Sequence, residues 1–323
     1  MKLNEICSKG KSSLRQKDVI NDGPYSVYGA SGVVGTTSDY QNEIPYVAVI
    51  KDGAGVGRAS ACEPMTSVLG TMQALIPNPN VERDYLLYLV RSLRLGEGFS
   101  GSTIPHIYFK DYGKIEVSLP SLEAQKRIVS QLGLIEAQIE QAEAQTTQLD
   151  QLVKSRFVEM FGDPVTAVSD ITLGEVANMK AGKTTTAKTI HDVYAPGLYP
   201  CYGGNGFRGY SAEPTHEGVF PLIGRQGALC GNVQIAHGTF RATEHAVVVD
   251  CKTSCEPVWL FHYLKYDNLG RLATGAAQPG LSLKDLKLVP VQLPPKDRQV
   301  EFISFVSQVD KSRFVRDHEI NFR

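Results

Sequence analysis

The sequence predicts an α+β fold built twice. Two mixed α/β domains stand in tandem, joined by long antiparallel coiled-coil helices about a pseudo-twofold axis. Three observations predict it. First, Tyr28-Gly29 returns as Tyr202-Gly203, an offset of 202 − 28 = 174 residues, and many landmarks share that offset. Gly32, Gly35, Gly53-Ala54 and Gly57 return as Gly206, Gly209, Gly227-Ala228 and Gly231. Gly101, Pro105, Lys110-Asp111, Leu119-Pro120 and Gln125 return as Gly275, Pro279, Lys284-Asp285, Leu293-Pro294 and Gln299. The period is far longer than that of solenoid repeats, so a whole domain is duplicated. Second, each copy holds short β-branched runs bracketed by glycine. Third, a stretch almost free of Gly and Pro separates the copies.

The first domain, 1–120, is strand-rich. Tyr46-Val-Ala-Val-Ile50, closed by Lys51-Asp52-Gly53, has the length and composition of a buried strand. Asp84-Tyr-Leu-Leu-Tyr-Leu-Val-Arg91 reads as a short amphipathic helix. The connector, 121–161, contains only Gly133 as a breaker, and Ser121 is its N-cap. Ile128, Leu132, Ile135, Ile139, Ala142, Thr146, Leu149 and Val153 alternate spacings of four and three, the 3.5-residue period of a coiled-coil seam. At 1.5 Å per residue such a rod is roughly 58 Å long. Phe161-Gly162-Asp163-Pro164 stops it.

The second domain, 162–294, repeats the first. Phe220-Pro-Leu-Ile223 and Ala246-Val-Val-Val-Asp250 are strands, and Pro257-Val-Trp-Leu-Phe-His-Tyr-Leu-Lys265 is the matching helix. A second coil, 295–323, carries Val300, Ile303, Val306 and Val309 and is shorter than the first, which leaves part of the first seam uncovered. Two similar heads on a spacer suit a duplex target with a repeat of ~34–36 Å per turn.

Composition narrows the function. Net charge is −1, and residues 1–120 carry 12 basic and 12 acidic side chains against 11 and 9 in 171–294. The acid excess sits on 121–170, with 4 basic and 8 acidic. No segment is the basic stripe of a strong autonomous DNA binder, so affinity for nucleic acid has to come from local loops or partner subunits. No apolar run spans a bilayer, and Met1-Lys2-Leu3-Asn4-Glu5 opens no signal peptide, so a cytoplasmic protein with no membrane partner is expected. The six cysteines form no CxxC pair and read as reduced thiols; Cys251, Cys255 and His262 match no common zinc spacing, and no metal site is expected.

These residues resemble the specificity (S) subunit of type I restriction–modification systems. The resemblance rests on Ile50-Lys-Asp-Gly-Ala-Gly-Val-Gly57 with Ile223-Gly-Arg-Gln-Gly-Ala-Leu-Cys-Gly231, and on Leu119-Pro-Ser-Leu-Glu-Ala-Gln-Lys-Arg-Ile128 with Leu293-Pro-Pro-Lys-Asp-Arg-Gln299. Lys154-Ser-Arg-Phe-Val-Glu-Met-Phe-Gly-Asp-Pro164 closes the coil in the family's manner. It implies that 1–120 and 162–294 are target recognition domains, each reading one half of a bipartite site on double-stranded DNA. It further implies that the coils dock methyltransferase (M) subunits, two of them, and that restriction (R) subunits cleave. S-adenosylmethionine, ATP and Mg then belong to those partners, and this chain holds no cofactor and no catalytic residue.

Competing motifs fail on their own residues. Gly182-Lys183-Thr184 lacks the earlier glycine of a phosphate loop, since position 177 is Ala177. Gly53-Ala-Gly-Val-Gly57 has no βαβ unit behind it and reads as a glycine-shaped hairpin. Asn78-Pro79-Asn80 misses an amino-methyltransferase loop at two positions, and no carboxylate cluster recurs in both copies for a nuclease metal. His216, His237 and His245 have no histidine counterparts in the first copy, so a catalytic role shared by both copies is excluded for them. Candidate DNA contacts are Lys51 and Arg58 in the first domain and Arg208, Arg225 and Gln226 in the second, with Lys180 and Lys183 nearby. Arg and Gln can pair with base edges, while Lys mostly meets phosphate. Candidate coil or partner positions are Gln125, Ile128, Leu132, Ile135, Ile139, Leu149, Val153 and Gln299, with the two glutamines at the domain–coil junctions. The competing class is a non-enzymatic scaffold whose duplicated heads bind protein or glycan.

Overall fold

A computed structural model describes residues 1–97, 105–227, 229–275 and 279–321, with side chains followed to residue 312. Gly101, Ala228 and the tail beyond Asn321 lie outside the described residues. The chain divides into two compact units, Met1–Gln141 and Ala142–Arg323.

Unit 1 opens with a single helical turn, α1 (Leu3–Ile6), which leads into β1 (Cys7–Lys9). Next come β2 (Tyr25–Gly29) and β3 (Gly32–Thr37), then β4 (Tyr46–Ile50), β5 (Ala59–Cys62), β6 (Ser67–Val68) and β7 (Met72–Pro77). Helices α2 (Arg83–Ser92) and α3 (Phe109–Tyr112) follow. One sheet runs β1-β7-β4-β5 and a smaller one β3-β2-β6. All five residues of β4 are buried, because the strand is central and covered on both faces. Val47, Val49, Leu75, Leu86 and Val90 form the main core, and Tyr46, Ala48, Met72 and Ala74 a second one.

Unit 2 repeats the plan. After the turn α5 (Leu173–Val176) come β8 (Ala177–Ala181), β9 (Tyr199–Gly203), β10 (Gly206–Ser211), β11 (His216–Gly224), β12 (Val233–Ala242) and β13 (Ala246–Cys251). Helices α6 (Pro257–Tyr266) and α7 (Leu283–Lys287) complete it. Here the strands fuse into one six-stranded sheet, β10-β9-β12-β11-β13-β8. The fusion has a local cause. In unit 1 the path between β5 and β6 passes Pro64, which lacks an N–H for the ladder, and Met65 at φ 53. In unit 2 Gly238, at φ 72, lets β12 run through and pair in parallel with β9 at Arg241↔Cys201, as β6 pairs with β2 at Val27↔Ser67. The sequence pattern gave no hint of this second pairing.

The helices predicted at 84–91 and 257–265 are α2 and α6. The glycine segments predicted as hairpins join β4 to β5 and β11 to β12, both antiparallel. Gly57 sits at φ 85 and Gly231 at φ 90, where a Cβ would lie 2.2 Å from Gly96 N and 2.3 Å from Gly270 N. Gly231→Ala is therefore expected to cost at least about 1–2 kcal/mol from the left-handed backbone alone, with the backbone clash adding to it. A clear fall in the unfolding midpoint of unit 2 is the measurement.

The connector is a single helix, α4 (Leu122–Phe161), of 40 residues. The Ser121 hydroxyl accepts from Ala124 N–H at 3.3 Å, the N-cap expected of it. The seam is covered unevenly. Ile128 and Leu132 are half-buried, Ile135 and Ile139 are each 50% exposed, and Val153 is buried in unit 2. The last turns of α4 pack against α8 (Lys296–Asn321) and α6 in unit 2. Phe157, fully buried, is their hub, with ring centroids 5.2 Å from Phe302, 5.3 Å from Tyr266 and 6.3 Å from Trp259. Arg156 on α4 reaches Glu301 on α8 at 3.3 Å.

Both junction glutamines are completely buried. Gln125 Oε1 accepts from Glu82 N–H at 2.8 Å, and its Nε2 donates to Asn80 O at 3.0 Å and Pro120 O at 2.9 Å. Gln299 Oε1 accepts from Glu256 N–H at 2.8 Å, and its Nε2 donates to Ser254 O at 3.0 Å and Pro294 O at 2.9 Å. Every partner is displaced by the same 174 residues. The side chains sit inside their units, so they act as clamps and have no face left for a partner subunit.

All six cysteines are free. Burial pushes the Cys7 and Cys62 thiols up to about 12, which keeps them protonated and unreactive. Among the described residues no three His, Cys, Asp or Glu side chains are placed to hold a metal ion, and no helix is long and apolar enough to cross a membrane.

Candidate nucleic-acid interface

The fully buried β4 of unit 1, and β11 of unit 2 through its buried last four residues, each end in a glycine-bracketed loop that is tied from both sides. In unit 1, Lys51 N–H donates to Thr71 O at 3.0 Å, Ile107 N–H donates to Lys51 O at 2.9 Å, and Gly53 N–H donates to Pro105 O at 3.0 Å. In unit 2, Arg225 N–H donates to His245 O at 3.1 Å, Leu281 N–H donates to Arg225 O at 2.9 Å, and Gly227 N–H donates to Pro279 O at 3.0 Å. The same main-chain scaffold therefore presents Lys51-Asp52 in one unit and Arg225-Gln226 in the other. Gly53 and Gly227, at φ 86 and φ 88, turn the chain directly after the presented pair.

The fold gathers most of the unit 2 candidates at one end of the sheet. Ala246 pairs with Gly224, and its carbonyl accepts from Gly182 N–H. Lys183, Arg225 and Gln226 thus emerge together beside the Glu244-His245 turn. Arg208 folds over Gly203, whose added Cβ would meet Arg208 Cδ at 2.5 Å; neighbouring Gly204 lies against His245 O. Lys180 is exposed but sits back along the edge strand, opposite Val248. Arg225 is half-buried, and its Nε is enclosed without a hydrogen-bond partner. An unpaired buried donor costs free energy that an incoming acceptor would recover.

Unit 1 is arranged differently. Lys51 stands at the strand end, but Arg58 is at the far side of the hairpin loop, where its Nε donates to Gly55 O at 3.4 Å. It lines a surface groove of about 460 Å³ with Arg91, Arg94 and Glu97. Arg91 and Arg94 were not singled out by the sequence, because they lie on α2 and the turn after it, far along the chain from Arg58. Arg91 is paired with Glu136 at 3.1 Å and Arg94 with Glu97 at 3.5 Å, both pairs solvent-exposed and therefore weak.

His216 stacks on Phe240 at 5.4 Å, and burial lowers its pKa, so it behaves as a packing residue. His245 belongs to the site: its Nδ1 lies 2.7 Å from Gln226 Oε1. In unit 1 the corresponding position is Asp52, whose Oδ1 lies 2.7 Å from His106 Nδ1. Neither pair was foreseen, since the two histidines are not related by the 174-residue offset.

The chain is similar to known proteins. Among curated proteins, the Type I restriction enzyme EcoprrI specificity subunit of Escherichia coli is 44% identical over 140 residues, 43% of this chain and 35% of that protein. A putative type I restriction enzyme specificity subunit of Haemophilus influenzae, S.HindORF215P, is 31% identical over 137 residues, 42% of this chain and 35% of that protein. The matched stretch thus spans about a third of either relative's length. Among solved structures, the S subunit of a type I restriction–modification system from M. genitalium superposes with a TM-score of 0.62 at 19% identity, covering 99% of this chain and 91% of that one. A structure described as underlying complex assembly and conformational transition of the type I R-M system gives 0.52 at 16%, covering 99% and 92%. These two likenesses concern the fold. The type I restriction modification DNA specificity domain matches twice, at residues 1–151 and 167–320, once for each repeat. With both halves accounted for, the chain belongs to the family of type I restriction–modification DNA specificity proteins.

Proposed function

We propose that this chain is the sequence-specificity subunit of a type I restriction–modification complex. Each unit reads one half of a bipartite site on double-stranded DNA. Methylation is carried by two M subunits and cleavage by R subunits, which bind S-adenosylmethionine, ATP and Mg; this chain performs no chemistry. It works in the cytoplasm, where its DNA is. The observation that carries the reading is one main-chain scaffold built twice, which presents Lys51-Asp52 in one unit and Arg225-Gln226 in the other. A shared scaffold with different side chains is what two unlike half-sites require. The exposed Ile135 and Ile139 of α4 leave an apolar strip for a partner subunit.

The test is methylome sequencing of the host with and without the gene. Loss of one split adenine-methylation motif on deletion is expected; an unchanged methylome sinks the reading. A protein- or glycan-binding scaffold would also show no salt-dependent binding to duplex DNA with M subunits present, whereas the proposed subunit loses affinity steeply as salt rises.

A further inference from the structure

The geometry points to position 52 of unit 1 and position 226 of unit 2 as a base-discriminating pair of opposite character. Asp52, fixed by His106, selects a base that offers an amino group, and Gln226, fixed by His245, selects a base that offers an acceptor. The inference rests on the DNA-reading function proposed above and names the residues that set part of its specificity.

Positions 52 and 226 are equivalent by the offset, 226 − 52 = 174, and by backbone. Asp52 forms an isolated bridge to His106, and Gln226 forms one to Gly280, again 174 residues apart. Each is followed by a left-handed glycine whose Cβ position is open space. Each side chain is held by an imidazole nitrogen at 2.7 Å. The imidazoles nevertheless come from different places. His106 follows Pro105, where unit 2 has Gly280, while His245 lies in the turn before β13, where unit 1 has Thr71. Two unrelated solutions thus orient one shared position. The side chains stay accessible, with Asp52 30% and His245 42% exposed. A surface hydrogen bond adds little stability, so what these contacts supply is direction.

The chemistry left over differs. Oδ1 and Oε1 can only accept, so each Nδ1 is the donor. Asp52 then retains a carboxylate oxygen, an acceptor, which suits the amino groups of cytosine N4 or adenine N6 and repels guanine O6 and thymine O4. Gln226 Oε1 already accepts from His245, whose Nε2 faces Glu244 Oε1 at 3.4 Å, and its NH₂ remains a donor, which suits guanine O6/N7 or thymine O4. With one lone pair of its oxygen engaged and its amide plane set by His245, Gln226 is less suited to the donor–acceptor pair glutamine usually makes with adenine.

The experiment is methylome sequencing in a host lacking the gene, complemented with the full chain or its variants beside the native partner subunits. Wild type should restore one bipartite motif; no motif at all would end the functional reading itself. Asp52→Asn should admit guanine or thymine at a single position of one half-site, raising methylation of those sequences roughly tenfold, with the other half unchanged. His106→Ala should relax that same position, and His106→Gln, which can still donate to the carboxylate, should restore it. Gln226→Glu should move one position of the opposite half-site toward an amino-bearing base. An unchanged motif in Asp52→Asn, or loss of all methylation with an unaltered melting temperature, overturns the proposal. If Asp52→Asn itself lowers the melting temperature, Gln226→Glu decides alone.

Discussion

Replacing Phe157 by alanine is expected to lower the stability of unit 2 by about 3–5 kcal/mol, the range for removing a large buried aromatic. The ring is fully enclosed and touches Phe161, Trp259, Tyr263, Tyr266 and Phe302, with centroid separations between 5.1 and 6.3 Å. No neighbour can collapse into the space without leaving its own contacts, so the cavity persists. The chain contains one tryptophan, Trp259, and it stacks on Phe157. Tryptophan emission, excited selectively, therefore reports on unit 2. A red-shifted emission and an earlier denaturation midpoint are expected for Phe157→Ala, and a much smaller change for Phe157→Leu. Emission and midpoint both equal to wild type would show that α4 is not seated by this ring.

Replacing Gln299 by alanine should cost about 3 kcal/mol, because it strands the Glu256 N–H and the Ser254 and Pro294 carbonyls at a fully buried position. For a unit of this size that corresponds to a fall in melting temperature of about 6–12 °C. Gln299→Glu keeps the acceptor for Glu256 N–H but turns a carboxylate oxygen toward two carbonyls, so it should not rescue. Gln125→Ala should do the same damage in unit 1, where Trp259 does not see it. Differential scanning calorimetry with the fluorescence melt separates the two: the Gln125 variant should move a calorimetric transition and leave the tryptophan transition in place. Equal stability of Gln299→Ala and wild type would show that the clamp is not what seats α8.

Much of this is legible in the sequence, for a physical reason. Backbone conformations that only glycine adopts, and the 3.5-residue stripe of α4, are local properties, and local properties leave periodic marks. The offset of 174 then doubled every such mark. What escaped was pairwise and distant. The imidazoles of His106 and His245 meet equivalent side chains from non-equivalent positions, so comparing the copies concealed them. Arg58, Arg91 and Arg94 share a groove only because α2 folds across the β4–β5 hairpin. Phe157 did leave a trace. Lys154-Ser-Arg-Phe-Val158 recurs as Lys311-Ser-Arg-Phe-Val315, at an offset of 157 rather than 174. From Gln125 to Phe157 is 157 − 125 = 32 residues, and from Gln299 to Phe314 is 314 − 299 = 15. The shortfall of 17 lies inside the second helix, between two shared motifs.

The glutamine clamps hydrogen-bond to main-chain atoms of the heads they hold: one amide hydrogen and two carbonyls in each case. A joint of that kind is indifferent to side-chain identity in the loops beyond it. A foreign head grafted between Pro120-like and Gln299-like boundaries would find its seat ready, provided its backbone brings an amide and a carbonyl to the same places. New specificities could then spread by exchange of whole cassettes rather than by residue-by-residue change.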